Sequence, residues 1–400
     1  VAALKEDALQ MDAQSADEIA IDEELSADGH AAGVEREELA LEENIKEPFD
    51  PALIDVVTRT MTVDLLLARL RRGVLDLAPD FQRQAGVWGD EAQSKLVESL
   101  LLRIPVPNLY AAESGDEGWS IVDGIQRLTT IARFVDPALV PNMAPLRLRG
   151  LEYLKSYEGN LYGDLPPSLR TRIDETELLV HLIRSGTPEP VKFNIFARIN
   201  TGGLPLTSQE LRHALIPGDA RTYLTKLAHS QTFRKATNYS IKPDRMADRE
   251  MVLRFVAFLR TDPQQYARGD LDGFLRDAMV QLNHADEAVK GGIEQDFYRA
   301  LTLARDIFGD QAFRKRSASN ADRRLPINKA IFESLAVNLA RVDAPQSKTL
   351  KTRRRTVDER FAALTRNDRF FDSVSGGTGD VRKVKTRFSM VRDLLEEVLA

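Results

Sequence analysis

The sequence predicts an α+β chain: a mixed α/β domain over about residues 55–217, followed by an all-helical region over 218–400 with a basic last part. Three observations carry this. Short apolar runs punctuated by Gly and Pro fill the first stretch, helical spacing fills the second almost throughout, and 400 residues at 43% hydrophobic leave room for two or three folded units.

Taken in order, residues 1–47 hold fifteen Asp and Glu against Lys5, Arg36 and Lys46, with no aromatic residue. Such a segment buries little against the entropy cost of ordering, so a disordered or loosely helical acidic arm is expected, either a passive leader or a shield for a basic site. Pro48 and Pro51 mark its boundary. Leu65, Leu66, Leu67 and Leu70 suit a helix ended by Gly73, and Val74–Leu77 alternates as a strand. Asp90 with Gln93 reads as an N-cap and its reciprocal partner, launching a helix that bears Leu96, Val97, Leu100 and Leu101 and stops before Pro105. Leu109–Ala112 and Trp119–Val122 read as strands flanking a turn, and a helix begins just after Gly124 and breaks at Pro137. The run Leu178–Ile183 reads as a strand buried on both faces. Pro188 and Pro190 open a helix closed by Gly202 and Gly203, and Thr207 with Glu210 repeats the capping-box signature.

The chemistry concentrates at Asp123-Gly124-Ile125-Gln126-Arg127-Leu128-Thr129-Thr130. A strand that turns at Gly directly into a helix aims free backbone N–H groups and a positive dipole end at whatever lies in front, and phosphate suits that place. Gly124 allows close approach, Arg127 can make a two-pronged phosphate contact, Gln126 can orient a water, and Asp123 can hold magnesium or accept a proton. The competing reading is that Asp123 caps the helix and Arg127 is a surface charge. Arg83 beside Gln82 forms a second polar group that reads equally as a solvated loop, and Arg198 with Asn200, Gly202 and Gly203 a third, which taken in isolation reads first as an ordinary glycine helix end. Trp88 reads as core.

Together these groups resemble a known family, the GmrSD-type restriction endonuclease N-terminal domain of the ParB/sulfiredoxin-like fold. The resemblance rests on Pro79-Asp80-Phe81-Gln82-Arg83 with Trp88, on Lys95 to Pro107 with Glu98 inside it, on Ile121 to Thr130, and on Phe196 to Gly203 followed by Gln209-Glu210-Leu211-Arg212. It covers about residues 57–217. It implies nucleoside-triphosphate binding and hydrolysis in bacterial defence against phage and foreign DNA. Asp123, Gln126 and Arg127 are the implied catalytic residues, and Asp123 the magnesium ligand. The implied nucleotide contacts are Gln82, Arg83, Gly124, Thr129, Thr130, Arg198, Asn200, Gly202 and Gly203. One position departs from the pattern: Ile125 stands where the family usually has Gln, and an apolar residue there can turn into the core.

Composition narrows the remaining classes. With no cysteine there is no disulfide scaffold, thiolate zinc site or cysteine nucleophile. No apolar run approaches the roughly 18 residues of a membrane span, so a cytoplasmic protein is expected. None of the five histidines, His30, His181, His213, His229 and His284, lies in the last hundred residues, which argues against a His-Asn-His nuclease, and His181 and His213 read as packing residues. The first 47 residues carry a net −12 of the overall −6, leaving +6 for the rest, and residues 311–400 hold 20 Lys and Arg against 11 Asp and Glu. This asymmetry suggests self-association or an anionic partner. Arg353, Arg354 and Arg355 are the candidate DNA contacts, with a solvated helix face as the alternative. Three functions compete: the nucleotide hydrolase, a protein that binds or cuts DNA through its ParB-like core, and a non-catalytic partner of a separate nuclease subunit.

Overall fold

Part of the acidic head is a β-hairpin. The computed structural model describes residues 21–26, 29–37, 53–77, 88–114, 118–141, 143–199, 206–267, 269–317 and 323–400. Within them Glu23–Leu25 (β1) pairs antiparallel with Ala31–Glu35 (β2). The expectation of a disordered or helical arm does not hold for these residues, because their charge is met from far along the chain. Glu24 pairs with Lys329 at 2.6 Å, Glu35 with Lys315 at 2.6 Å, and Glu37 with the buried Arg254. Few apolar residues are then needed, and Ala32 and Val34 supply them from the inner face of β2.

Contacts divide the chain into two units: a helical unit of Val1–Asn44, Asp219–Pro243 and Ala247–Ala400, which includes the hairpin, and a sheet unit of Ile45–Gly218 with Asp244–Met246. The helical unit is built around two central helices, Ala247–Arg260 and Lys329–Ala340. Between them Arg254 meets Glu250 at 2.8 Å and Glu333 at 3.3 Å. Among the described residues no helix is long and apolar enough to cross a membrane.

The sheet unit holds five strands in the order β3-β7-β5-β6-β4. Val56–Thr62 (β3) runs straight into Val63–Arg71 (α1), whose first turn is capped by Thr62 Oγ1 accepting from the Leu65 amide. Leu75–Asp76 (β4) precedes Asp90–Leu101 (α2). Here Gly89, not Asp90, is the cap. Asp90 and Gln93 instead accept from Arg133 at 2.7 and 2.9 Å, because a buried guanidinium needs those acceptors more than a helix start open to water does. Leu109–Ser114 (β5) and Gly118–Asp123 (β6) form an antiparallel hairpin, followed by Ile125–Val135 (α3), Pro167–Asp174 (α4), and Glu177–Ile183 (β7). β7 lies parallel to β5 and antiparallel to β3. Glu189–Ile199 (α5) and Ser208–Leu215 (α6) complete the unit, the latter with the full capping box of Thr207 and Glu210.

β7 is not buried on both faces. Leu178, Val180 and Leu182 point inward, but Leu179 is 42% exposed and His181 half-buried, so much of the opposite face of the sheet is open at β7 and β3. Trp88, expected in the core, is 37% exposed.

Candidate functional site

The site grows from the β6–α3 turn. Trp119, Ile121 and Val122 anchor β6 in the core, and α3 buries Leu128, Ile131, Ala132 and Phe134 on one face, so strand and helix are both fixed on either side of Gly124. Gly124 sits at φ 91° in the left-handed region, and a Cβ there would lie 2.3 Å from Leu109 Cδ2 and 3.0 Å from Arg127 Nη2. Only glycine fits. No side chain caps α3, and Arg127 folds back across the turn so that its Nη2 donates to Asp123 Oδ2 at 2.8 Å. The pair spans one helical turn, with the Arg127 side chain 12% and that of Asp123 36% exposed. The pair is thus only partly screened by water, and an anion arriving at the turn meets the guanidinium with its carboxylate partner still beside it. Ile125 is buried, as its apolar character implied, and offers the site its backbone alone.

A register shift in the β5–β6 hairpin, between Tyr110 and Ala111, sets Asp123 opposite Tyr110. Bulges of this kind re-aim a side chain. Tyr110 is in register with His181 on β7, and His181 with Thr58 on β3, so Asp123, Tyr110, His181 and Thr58 form one row across four strands. His181 packs, as the sequence suggested, but on the partly open face of the sheet and not in the core. Its ring stacks on Tyr110 with centroids 4.8 Å apart, its Nδ1 lies 3.0 Å from Thr58 Oγ1, and its Nε2 lies 3.0 Å from Asn108 Nδ2. Sequence reading missed Tyr110, Asn108 and Thr58. The alternation of β7, which puts His181 on the open face with Leu179, was the one signal for them.

Two buried anchors hold the turn from behind. Arg133 ties α3 to α2 and also donates to the Ala144 carbonyl at 2.7 Å. Glu98 on α2 accepts from the amides of Glu152, Tyr153 and Leu154. Burial raises this carboxyl, but the three backbone donors more than offset it and hold it below the usual carboxylate range.

The other predicted residues scatter. Thr129 and Thr130 face the interior, where Thr130 donates to the Gln126 carbonyl at 2.7 Å and Thr129 Oγ1 has no partner among the described residues. Gln126 is half-buried beside Arg127, and Arg198 is exposed in the last turn of α5. Gln82, Arg83, Asn200, Gly202 and Gly203 lie outside the described residues. In the helical unit Arg353 donates to the Val398 carbonyl, whereas Arg354 and Arg355 are exposed. Two cavities of about 560 and 270 Å³ also lie in that unit, and neither is lined by a predicted site residue.

Among the described residues no three His, Asp or Glu side chains gather as a metal-binding group. Asp123 offers a magnesium ion one carboxylate, and Arg127 holds it. That is a poor fit for a resident metal.

Residues 64–217 match the family model described as GmrSD restriction endonuclease, N-terminal domain. No curated protein and no solved structure gives a significant match.

Proposed function

Residues 64–217 belong to the GmrSD restriction endonuclease N-terminal domain family, and from that premise we propose that the chain is a restriction-like defence protein whose sheet unit binds and hydrolyses a nucleoside triphosphate. The observation that carries this reading is the β6–α3 turn: an uncapped helix start, a glycine with no room for a Cβ, and a guanidinium held over both by a partly exposed carboxylate. The first-turn amides and Arg127 bind the terminal phosphates. Asp123 keeps Arg127 aimed, and Gln126 orients the attacking water. Water adds to the terminal phosphorus and gives up a proton to a phosphate oxygen, the anhydride P–O bond breaks, and its electron pair leaves on the nucleoside diphosphate. Arg127 offsets the charge on the transferring phosphoryl group, a contribution of about 10³-fold or more in rate where an arginine plays this part.

The test is binding of ATP, GTP and CTP with magnesium, followed by phosphate release with and without DNA. Arg127→Ala should lose turnover by that factor and Asp123→Ala should weaken binding. Unchanged binding and turnover in Arg127→Ala would remove this site from the reading.

A second reading, DNA binding through the basic end, is favoured by Arg354 and Arg355, which make no ion pair with any described residue. Some of the neighbouring cations are already paired: Lys351 with Asp306, Arg360 with Glu397, and Arg387 with Glu333. The exposed Lys348, Arg366 and Arg369 likewise make no ion pair with any described residue and add to the surface that such binding draws on, so its affinity should fall as salt rises. It would suit a chain that hands DNA to a separate nuclease subunit.

A further inference from the structure

The row that leads away from Asp123 has the make-up of a binding surface. Tyr110, His181 and Asn108 are half-buried, Thr58 is exposed, and on the same face Leu179 and Val56 are each 42% exposed. A stacked aromatic pair beside open apolar side chains, with amide and hydroxyl groups at its edge, offers both area and hydrogen bonds to a planar ligand. Strands lie about 4.8 Å apart, so the row reaches roughly 14 Å from Asp123 to Thr58. We propose that this row is the nucleoside subsite of the phosphate site: the base stacks on Tyr110, and Asn108 accepts a hydrogen bond from the ligand. The proposal rests on the nucleotide reading above and adds where, and by which residues, the nucleoside is held.

The hydrogen bonds give each residue its part. β5 lies between β7 and β6, and His181 covers the Tyr110 face toward β7, so the other face looks toward the strand that carries Asp123. A nucleotide with its phosphates at Arg127 meets that face first. With Asn108 Nδ2 donating to His181 Nε2, the imidazole proton sits on Nδ1 and goes to Thr58 Oγ1. The amide is thereby locked with its Oδ1 left over, and that oxygen has no partner among the described residues. It fits a donor such as a ribose hydroxyl or an exocyclic amine. His181 is a positioning residue, acting through Asn108 and Tyr110.

The experiment uses the full chain and two probes: whichever of ATP, GTP and CTP binds wild type most tightly, and inorganic tripolyphosphate, which has the phosphates without a nucleoside. Wild type should prefer the nucleotide. Tyr110→Ala should weaken nucleotide binding by roughly 5- to 100-fold, the range of one base–aromatic stack, and leave tripolyphosphate unchanged. Tyr110→Phe should restore it, and Asn108→Ala should weaken the nucleotide alone. Equal binding of both probes by wild type would overturn the subsite while the phosphate reading stands, as would an equal loss of both probes in Tyr110→Ala. Binding of neither probe by wild type overturns the phosphate reading and this proposal with it.

Discussion

Removing the Glu98 carboxylate should unfasten the segment behind the site, and the size of the effect follows from its bonds. Oε1 accepts from the amides of Tyr153 and Leu154, both at 2.7 Å, and Oε2 from that of Glu152 at 3.0 Å. Hydrogen bonds to a charged group contribute about 1.5–3 kcal/mol each when fully buried. Glu98 is buried, but Glu152 and Tyr153 are exposed, so water can replace part of what is lost. Glu98→Ala should therefore cost about 2–4 kcal/mol, and Glu98→Gln, which keeps one acceptor oxygen and sets an N–H against an N–H, about 1–2 kcal/mol. The pH dependence has a definite sign. A carboxyl held below its usual 4.5 stabilises the fold above that value, and the stabilisation fades as pH falls through the lowered one. The gap between wild type and Glu98→Gln should thus be full at neutral pH and shrink as pH falls below 4.5. The chain's two tryptophans, Trp88 and Trp119, both lie in the sheet unit, so urea unfolding followed by tryptophan fluorescence reads this unit directly. A loss under about 0.5 kcal/mol in Glu98→Ala, or a gap independent of pH, would refute the reasoning.

Substitutions at two further positions probe the turn and the helical unit. Gly124→Ala places a Cβ in the left-handed region and against Leu109, costing about 2–5 kcal/mol in the same fluorescence assay; Gly124→Asn should recover part of the backbone share but not the clash. Arg254→Met leaves Glu37, Glu250 and Glu333 without their shared cation in the helical unit; a loss of about 3–5 kcal/mol is expected, read by calorimetry as a fall of roughly 10 °C in the transition.

What the sequence disclosed follows from how local each signal is. The start of α3 after Gly124 and the capping box of α6 were legible because a few adjacent residues determine them. β3 was mostly missed: Val56–Thr62 is an edge strand whose residues other than Met61 are exposed or half-buried, so it carries little apolar alternation to read. The Asp90 cap was misread because its side chain serves Arg133, 43 residues on. The row Asp123, Tyr110, His181 and Thr58 was invisible for a related reason. It exists only once four strands pair in one register and one of the three pairings bulges, and no run of the sequence contains that register.

The charge asymmetry makes the same point in energetic terms. A head at net −12 and a basic end invite a partner as explanation, yet within the helical unit the hairpin carboxylates Glu24, Glu35 and Glu37 meet Lys329, Lys315 and Arg254 of the same chain. Burial alone would push Arg254 and Lys329 toward the neutral form, but the carboxylates around them reverse that and raise both. The cations are therefore charged, paired and enclosed, and a paired, enclosed charge steers no external ligand. Any long-range attraction for an anion falls to exposed residues such as Arg354 and Arg355, and the proposed selective recognition to Arg127, whose carboxylate partner is partly exposed. Charge counts along a sequence thus overstate the basic surface of this chain, and among the described residues the arginine whose position argues most for chemistry lies in its sheet unit, outside the basic stretch.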